Sequence, residues 1–341
     1  MNTTVDSAAA RCLLDVQVDA DTHQAAARCG LDGIFARYNG MPLTRGTLTA
    51  LADEISVDAA AIYLVRRVLA NPRNAHWQQA LAGEVETIRR SGVSREAGAY
   101  RDHLIVFVPG WLYRFQPYTG ADFSRELRLL RRFGLRARRL EVNENGTIEA
   151  NAKQIAAGIR DLARSETRLI LVSTSKAGSE VAYALGALLT PEETEVVKAW
   201  LSIGGLLRGS PIADDARRWP RSWLAGLYFW WHGFSTDSIE SMTTMRSRAR
   251  LEEVRIPPHI LLVQFMAAPM SGQVSEGARD RYLRLRRLGP NDGLTLLIDE
   301  LLPDGIVVVE PGDDHYYRDQ LRDYKTLAFA RLIIGALEAR K

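Results

Sequence analysis

The sequence predicts an α/β protein built on a mostly parallel sheet flanked by helices. Three observations carry this reading. Short apolar runs bounded by turn residues recur after position 103, as strands buried on both faces require. Amphipathic stretches of helical period separate them. The first hundred residues are Ala-rich, have no run of β-branched residues, and read as a helical extension. The chain thus divides into a helical region over 1–99 and an α/β domain over 100–341.

In the extension, helices are expected over 57–70, after a Ser56 cap, and over 75–90, ending at Ser91-Gly92. The first strong strand is Leu104-Ile105-Val106-Phe107-Val108, closed by Pro109-Gly110. An Arg-rich helix follows, then a strand over 136–142, a helix over 149–164, a strand over 168–174, a helix over 176–189 and a strand over 199–203. Later strands fall at 259–266 and 305–310, and a helix closes the chain over 320–340. Between 209 and 257 no strand pattern occurs, and four of the seven tryptophans cluster there. This segment reads as an inserted helical cap.

The composition excludes several classes. With 341 residues, 46% hydrophobic and 25% charged, the chain can bury a sizeable core. A net charge of +3 is weak for nucleic-acid binding. The arginines at 125–139 and 279–287 read as solvated helix faces. No window reaches the ~18 apolar residues of a membrane span, and the N-terminus lacks a signal-peptide pattern, so the default expectation is a soluble, cytoplasmic protein. The two cysteines, Cys12 and Cys29, lack metal-ligand spacing and are expected as free thiols.

Reactive groups in such sheets gather where strands end. After the 168–174 strand comes Ser173-Thr174-Ser175-Lys176-Ala177-Gly178. A serine between a buried strand and a helix, with small neighbours, fits a nucleophile elbow. Ser173 and Ala177 stand where that pattern usually has glycine, and a plain Ser/Thr helix cap is the alternative. Of the six histidines, His315 follows the last strand through Pro311-Gly312-Asp313-Asp314, at the same sheet edge as Ser175. It could serve as the base. The orienting carboxylate has candidates in Asp280, Asp292, Asp299, Glu300 and Asp304. Asp292, in the turn Gly289-Pro290-Asn291-Asp292-Gly293, is favoured against an ordinary Asx-turn. Backbone N–H groups of Lys176 and Trp111 fit the two oxyanion donors, although Trp111 also suits plain packing.

Together these residues resemble the α/β-hydrolase superfamily, in its lipase and esterase branch, from His103 onward. The matching pieces are Phe107-Val108-Pro109-Gly110-Trp111, Ser173 to Gly178, Asn291-Asp292-Gly293-Leu294, Gly312-Asp313-Asp314-His315, and the helix opening Gly146-Thr147-Ile148-Glu149-Ala150-Asn151-Ala152. The elbow lacks its first glycine, and Pro109 stands where a histidine is frequent. The resemblance implies a Ser175–Asp292–His315 triad, needing no metal or cofactor. It also implies a mobile lid, here 209–257, over an acyl pocket to which Leu112, Trp219, Trp223, Phe229 and Trp230 are assigned. The expected function is hydrolysis of a carboxylic ester. Thioester or amide hydrolysis with the same triad, and a non-catalytic scaffold that binds a partner, stay open. The aromatic residues of the cap could equally form its own core or touch a lipid surface.

Overall fold

Six strands form one sheet in the order β2-β1-β3-β4-β5-β6, flanked by helices, in a computed structural model that describes Cys12 and residues 27–92, 100, 102–218 and 220–340. The strands are β1 Leu104–Val108, β2 Arg136–Arg139, β3 Leu169–Thr174, β4 Val197–Ile203, β5 Leu261–Ala268 and β6 Ile306–Pro311. The pairs β1–β2, β1–β3, β3–β4 and β4–β5 are parallel, with Val108 opposite Ser173 and Thr174 opposite Ile203. Apolar runs without alternation form the central strands because both faces are covered. β1 and β5 are buried along their whole length.

The chain divides into two compact units. The first comprises Met1–Gln78, Met266–Leu301 and Val307–Arg318; the second comprises Gln79–Phe265, Leu302–Ile306 and Asp319–Lys341. This differs from a boundary at 99/100. The helices before Gln78 share a unit with the segments after β5 and β6. Their buried face, with Leu31, Phe35, Leu48, Leu51, Ile62 and Val65, packs into one cluster with Met266, Met270, Leu297, Val307 and Val309. The helix Val57–Leu69 starts where expected, with Ser56 Oγ accepting from the Ala59 N–H at 3.1 Å. Cys12 and Cys29 are joined in a disulfide, with their Cα atoms 5.6 Å apart, so the expectation of free thiols is corrected. That separation lies within bridging range, and nothing in the spacing of two cysteines along the sequence reports it.

The core of the second unit is Val106, Val108, Ile155, Ile159, Leu169, Leu171, Val181 and Trp200, with their neighbours. The helix Ile148–Leu162 opens on Thr147, whose hydroxyl accepts from the Ala150 N–H at 3.2 Å. The helix expected over 176–189 is Lys176–Tyr183, continued by a π-helical turn, Ala184–Leu188. The Arg-rich helix, Ser124–Arg132, buries Leu127 and Leu130, and Arg125 pairs with Asp323 at 2.7 Å. Between β4 and β5 the described residues of the cap form helices only, at Pro211–Ala216, Arg221–Trp231, Asp237–Ser241 and Thr244–Glu253. Among the described residues no helix is long and apolar enough to cross a membrane.

Both sheet edges are guarded. The short edge strand β2 carries three arginines, Arg136, Arg138 and Arg139. At the other edge, Gln78 bonds to both main-chain groups of Val309, donating to its carbonyl at 2.9 Å and accepting from its N–H at 2.8 Å. Asn74 accepts from the Val307 N–H at 2.9 Å. Side chains thus occupy hydrogen-bonding positions that another strand would otherwise take. Replacing Gln78 by Ala leaves two main-chain groups of Val309 without these partners. The expected loss is about 2–4 kcal/mol of unfolding free energy, from the cost of unsatisfied buried groups, and urea denaturation measures it.

Candidate active site

The turn from β3 into its helix is made in one residue. Ser175 has φ +56° and ψ −127°, a conformation costly for any residue with a Cβ. Three hydrogen bonds hold it there. Its N–H donates to the Ile203 carbonyl at 3.0 Å, and its carbonyl accepts from Gly178 at 2.9 Å and Leu206 at 3.0 Å. A strained residue at a strand–helix junction is the backbone geometry that a nucleophile elbow requires; no side-chain capping bond is made.

The two departures from the glycine pattern have physical reasons. Ser173 is fully buried, and its Oγ accepts from the Trp200 indole N–H on neighbouring β4 at 2.9 Å. A hydroxyl is wanted there because the indole would otherwise lack a partner. The close approach comes one residue later than the pattern places it. A Cβ on Gly178 would lie 2.7 Å from the Gly205 Cα, so helix and β4 loop meet glycine to glycine.

Lys176 supplies more than its main chain. Its side chain is buried, and the ammonium pairs with Glu180 one turn on. Asn151 also donates to Glu180, at 2.8 Å. Burial pushes the Glu180 carboxyl up, against the pull of Lys176 and Asn151. In the sequence, the i,i+4 spacing of Lys176 and Glu180 is the signal for this pair.

Beside the elbow lies the loop after β1. A Cβ on Gly110 would sit 3.2 Å from both Ala121 Cβ and Thr174 Cγ2, so glycine lets this loop lie against the end of β3 without displacing them. The Gly110 N–H donates to Ala121 at 3.0 Å and the Leu112 N–H to Glu144 at 3.1 Å. Between them, the Trp111 N–H has no protein acceptor among the described residues, and neither has the Lys176 N–H at the start of its helix. Leu112 is buried and has φ +52°.

The residues assigned to the acyl pocket scatter. Phe229 stacks on the Trp111 ring, with centroids 5.7 Å apart and planes at 15°. The Trp111 indole N–H reaches Ser238 Oγ at 3.3 Å. The cap is thereby tied to the loop after β1. Trp223 and Trp230 are 64% and 73% exposed. Trp219 lies outside the described residues.

In the other unit, Asp292 and His315 are brought together. Asp292 Oδ2 bonds to His315 Nδ1 at 2.5 Å, and the Asp292 carbonyl accepts from the His315 N–H at 3.0 Å. Asp292 Oδ1 accepts from the N–H groups of Leu294 and Thr295, each at 2.8 Å. The Asx-turn and a bond to the histidine are therefore not alternatives: one Asp292 oxygen makes the turn and the other holds His315. Burial pushes the fully buried Asp292 carboxyl up, but the charge and hydrogen bond of His315 and the two N–H groups hold it below its ordinary value. With Nδ1–H engaged by the carboxylate, Nε2 is the nitrogen that can accept a proton. The His315 loop is braced by Asp314, which accepts from Ser275 at 2.8 Å and Tyr316 at 3.0 Å. Of the other acid candidates, Asp299 pairs with Arg45 and Glu300 is buried.

No family model matches the sequence, and no curated protein matches it. Solved structures do. The chain is similar to the metagenomic carboxyl esterase MGS0156, with a TM-score of 0.53 and 20% identity over 72% of this chain and 76% of that one. It is similar to mature Bacillus licheniformis lipase BlEst2, with a TM-score of 0.54 and 19% identity over 72% and 95%. Lipase 1 from Pelosinus fermentans gives 0.50 and 13% over 67% and 98%. At these identities the likeness is one of architecture: the chain has the α/β-hydrolase fold, which carboxylesterases and lipases also adopt.

Proposed function

We propose that this chain is a serine hydrolase of carboxylic esters, with Ser175 as nucleophile, His315 as general base and Asp292 as its orienting acid. The observation that carries the reading is the strained backbone of Ser175 at the end of β3, since a left-handed serine at that junction is retained where its hydroxyl must be presented. The His315–Asp292 pair supports it. In this scheme Ser175 Oγ attacks the acyl carbon as its proton passes to His315 Nε2. The oxyanion takes hydrogen bonds from the main-chain N–H groups of Trp111 and Lys176. His315 then protonates the leaving alcohol, and water repeats the steps to release the acid. Asp292, its carboxyl held low, stays ionised at neutral pH and stabilises the imidazolium.

A second element of the proposal concerns the cap. The helix Arg221–Trp231 leaves Trp223, Leu224, Leu227, Tyr228, Trp230 and Trp231 exposed. Exposed aromatic and apolar residues on one short helix suit a lipid surface, which would bring lipid-like esters to the enzyme. The Cys12–Cys29 bridge bears on location, since disulfides persist in oxidising compartments; it weighs against the cytoplasmic expectation.

A fluorophosphonate probe is expected to label the wild type and to leave Ser175→Ala unlabelled; equal labelling would defeat the assignment. Asp292→Asn is expected to keep the fold and lower kcat about 10³–10⁴-fold toward a p-nitrophenyl ester. Thioester and amide substrates, assayed beside a series of esters, decide the bond. For the cap, Trp230→Ala with Trp231→Ala is expected to weaken binding to phosphatidylglycerol vesicles roughly tenfold, read by co-sedimentation, with hydrolysis of a soluble short-chain ester retained. Undiminished vesicle binding would remove the lipid contact from the proposal.

A further inference from the structure

Glu300 is a buried acid with no part in the triad scheme. It is 2% exposed, at the end of the short helix Leu297–Glu300 that follows the Asp292 turn. Neither of its carboxyl oxygens receives a hydrogen bond from an N–H or O–H group among the described residues. It lies within hydrogen-bonding reach of the Asp292 carboxylate. The two acids are treated very differently. Asp292 is saturated with donors: His315 Nδ1 on one oxygen, Leu294 and Thr295 on the other. Glu300 has none, and an ionised carboxylate without donors in a dry interior is prohibitively costly. A proton shared between two such acids belongs on the one without donors.

We propose that Glu300 is a positioning residue that donates an O–H hydrogen bond to the Asp292 carboxylate, fixing the acid that in turn fixes His315. Its relevance to catalysis rests on the triad reading; the hydrogen bond itself does not. The bond would limit rotation of the Asp292 carboxylate and leave a single negative charge behind the imidazole. Burial pushes the Glu300 carboxyl well above the usual range, and Asp292 and then Asp299 push it further. Tyr317, on the loop after β6, is the other titratable group coupled to it, and burial followed by the charges of Glu300 and Asp292 pushes that phenol up as well. Arg45 pairs with Asp299, the residue before Glu300.

The sign of the pH effect follows. A glutamate ordinarily ionises near 4.5, and Glu300 holds its proton well above that in the folded chain. Above that value the folded state binds a proton that the unfolded chain has released, so stability falls as pH rises. Glu300→Gln, which keeps a donor and cannot ionise, lacks this fall.

The test uses the whole chain, wild type, Glu300→Gln and Glu300→Ala, with His315→Ala to assign the His315 Nδ1 proton. Infrared difference spectra at neutral pH should show a protonated-carboxyl C=O band in the wild type that Glu300→Gln lacks. The low-field Nδ1 proton resonance should stay near its wild-type position in Glu300→Gln and move in Glu300→Ala. Toward a soluble ester, Glu300→Ala should lose about tenfold in kcat with KM within about twofold, and Glu300→Gln should recover most of that loss. The melting temperature of the wild type should fall relative to that of Glu300→Gln as pH rises above about 5. Absence of the band, or parallel losses of kcat and melting temperature in both variants, would overturn the proposal. If Glu300→Ala does not fold, the band and the Glu300→Gln comparison still decide it. If the fluorophosphonate probe fails to react with the wild type, the triad reading fails separately, because the band and the Nδ1 resonance do not depend on Ser175.

Discussion

Reversing the chain within one residue at the end of β3 imposes demands on everything around it. Ser175 can sit at φ +56° only because neighbours on β4 and its loop, Ile203 and Leu206, bind its main chain from one side and Gly178 from the other. The helix that leaves the turn must then pass close to β4, which admits no side chain where Gly178 meets Gly205. Trp200 fills β4 beneath, and Ser173 is the residue that can both fit and accept its indole N–H. The sequence around Ser175 thus departs from the usual glycine pattern for reasons of packing, while the strained backbone at the strand–helix junction is retained.

The helices before Gln78 have a structural role that their sequence does not announce. In their compact unit, the Arg45–Asp299 ion pair and the Thr49 hydroxyl on the Leu288 carbonyl, at 2.8 Å, secure both ends of the loop that carries Asp292. Asp58 accepts from the N–H and hydroxyl of Ser271, at 2.8 and 2.7 Å, fixing the chain as it leaves β5. Asn74 and Gln78 finish the edge of β6. The extension therefore braces the segments that carry Asp292 and His315, and it shares their unit.

The elements were largely legible. Buried parallel strands advertise themselves as uninterrupted apolar runs, and Ser56 and Thr147 mark helix starts through the side-chain chemistry of their caps. Errors fell at the edges: β2 stops at Arg139, and the helix after Ser175 loosens into a π turn at Ala184. The disulfide was missed because two cysteines carry no record of their distance in space. Glu300 was weighed only as a rival to Asp292, since nothing in a string of residues tells an acid surrounded by donors from one without them.

What the sequence determined by itself was the alternation of strand and helix, and with it the loops in which reactive groups could collect. Periodicity and turn chemistry are local, and they suffice for that. Only the tertiary structure decided that Ser175 is left-handed, that Asp292 divides its two oxygens between an Asx-turn and His315, and that the N-terminal helices brace the loop that carries Asp292. Each of these depends on contacts between residues far apart in the chain, and on burial, which sets how a charge or a hydrogen bond is valued. Neither is written in any short stretch of sequence.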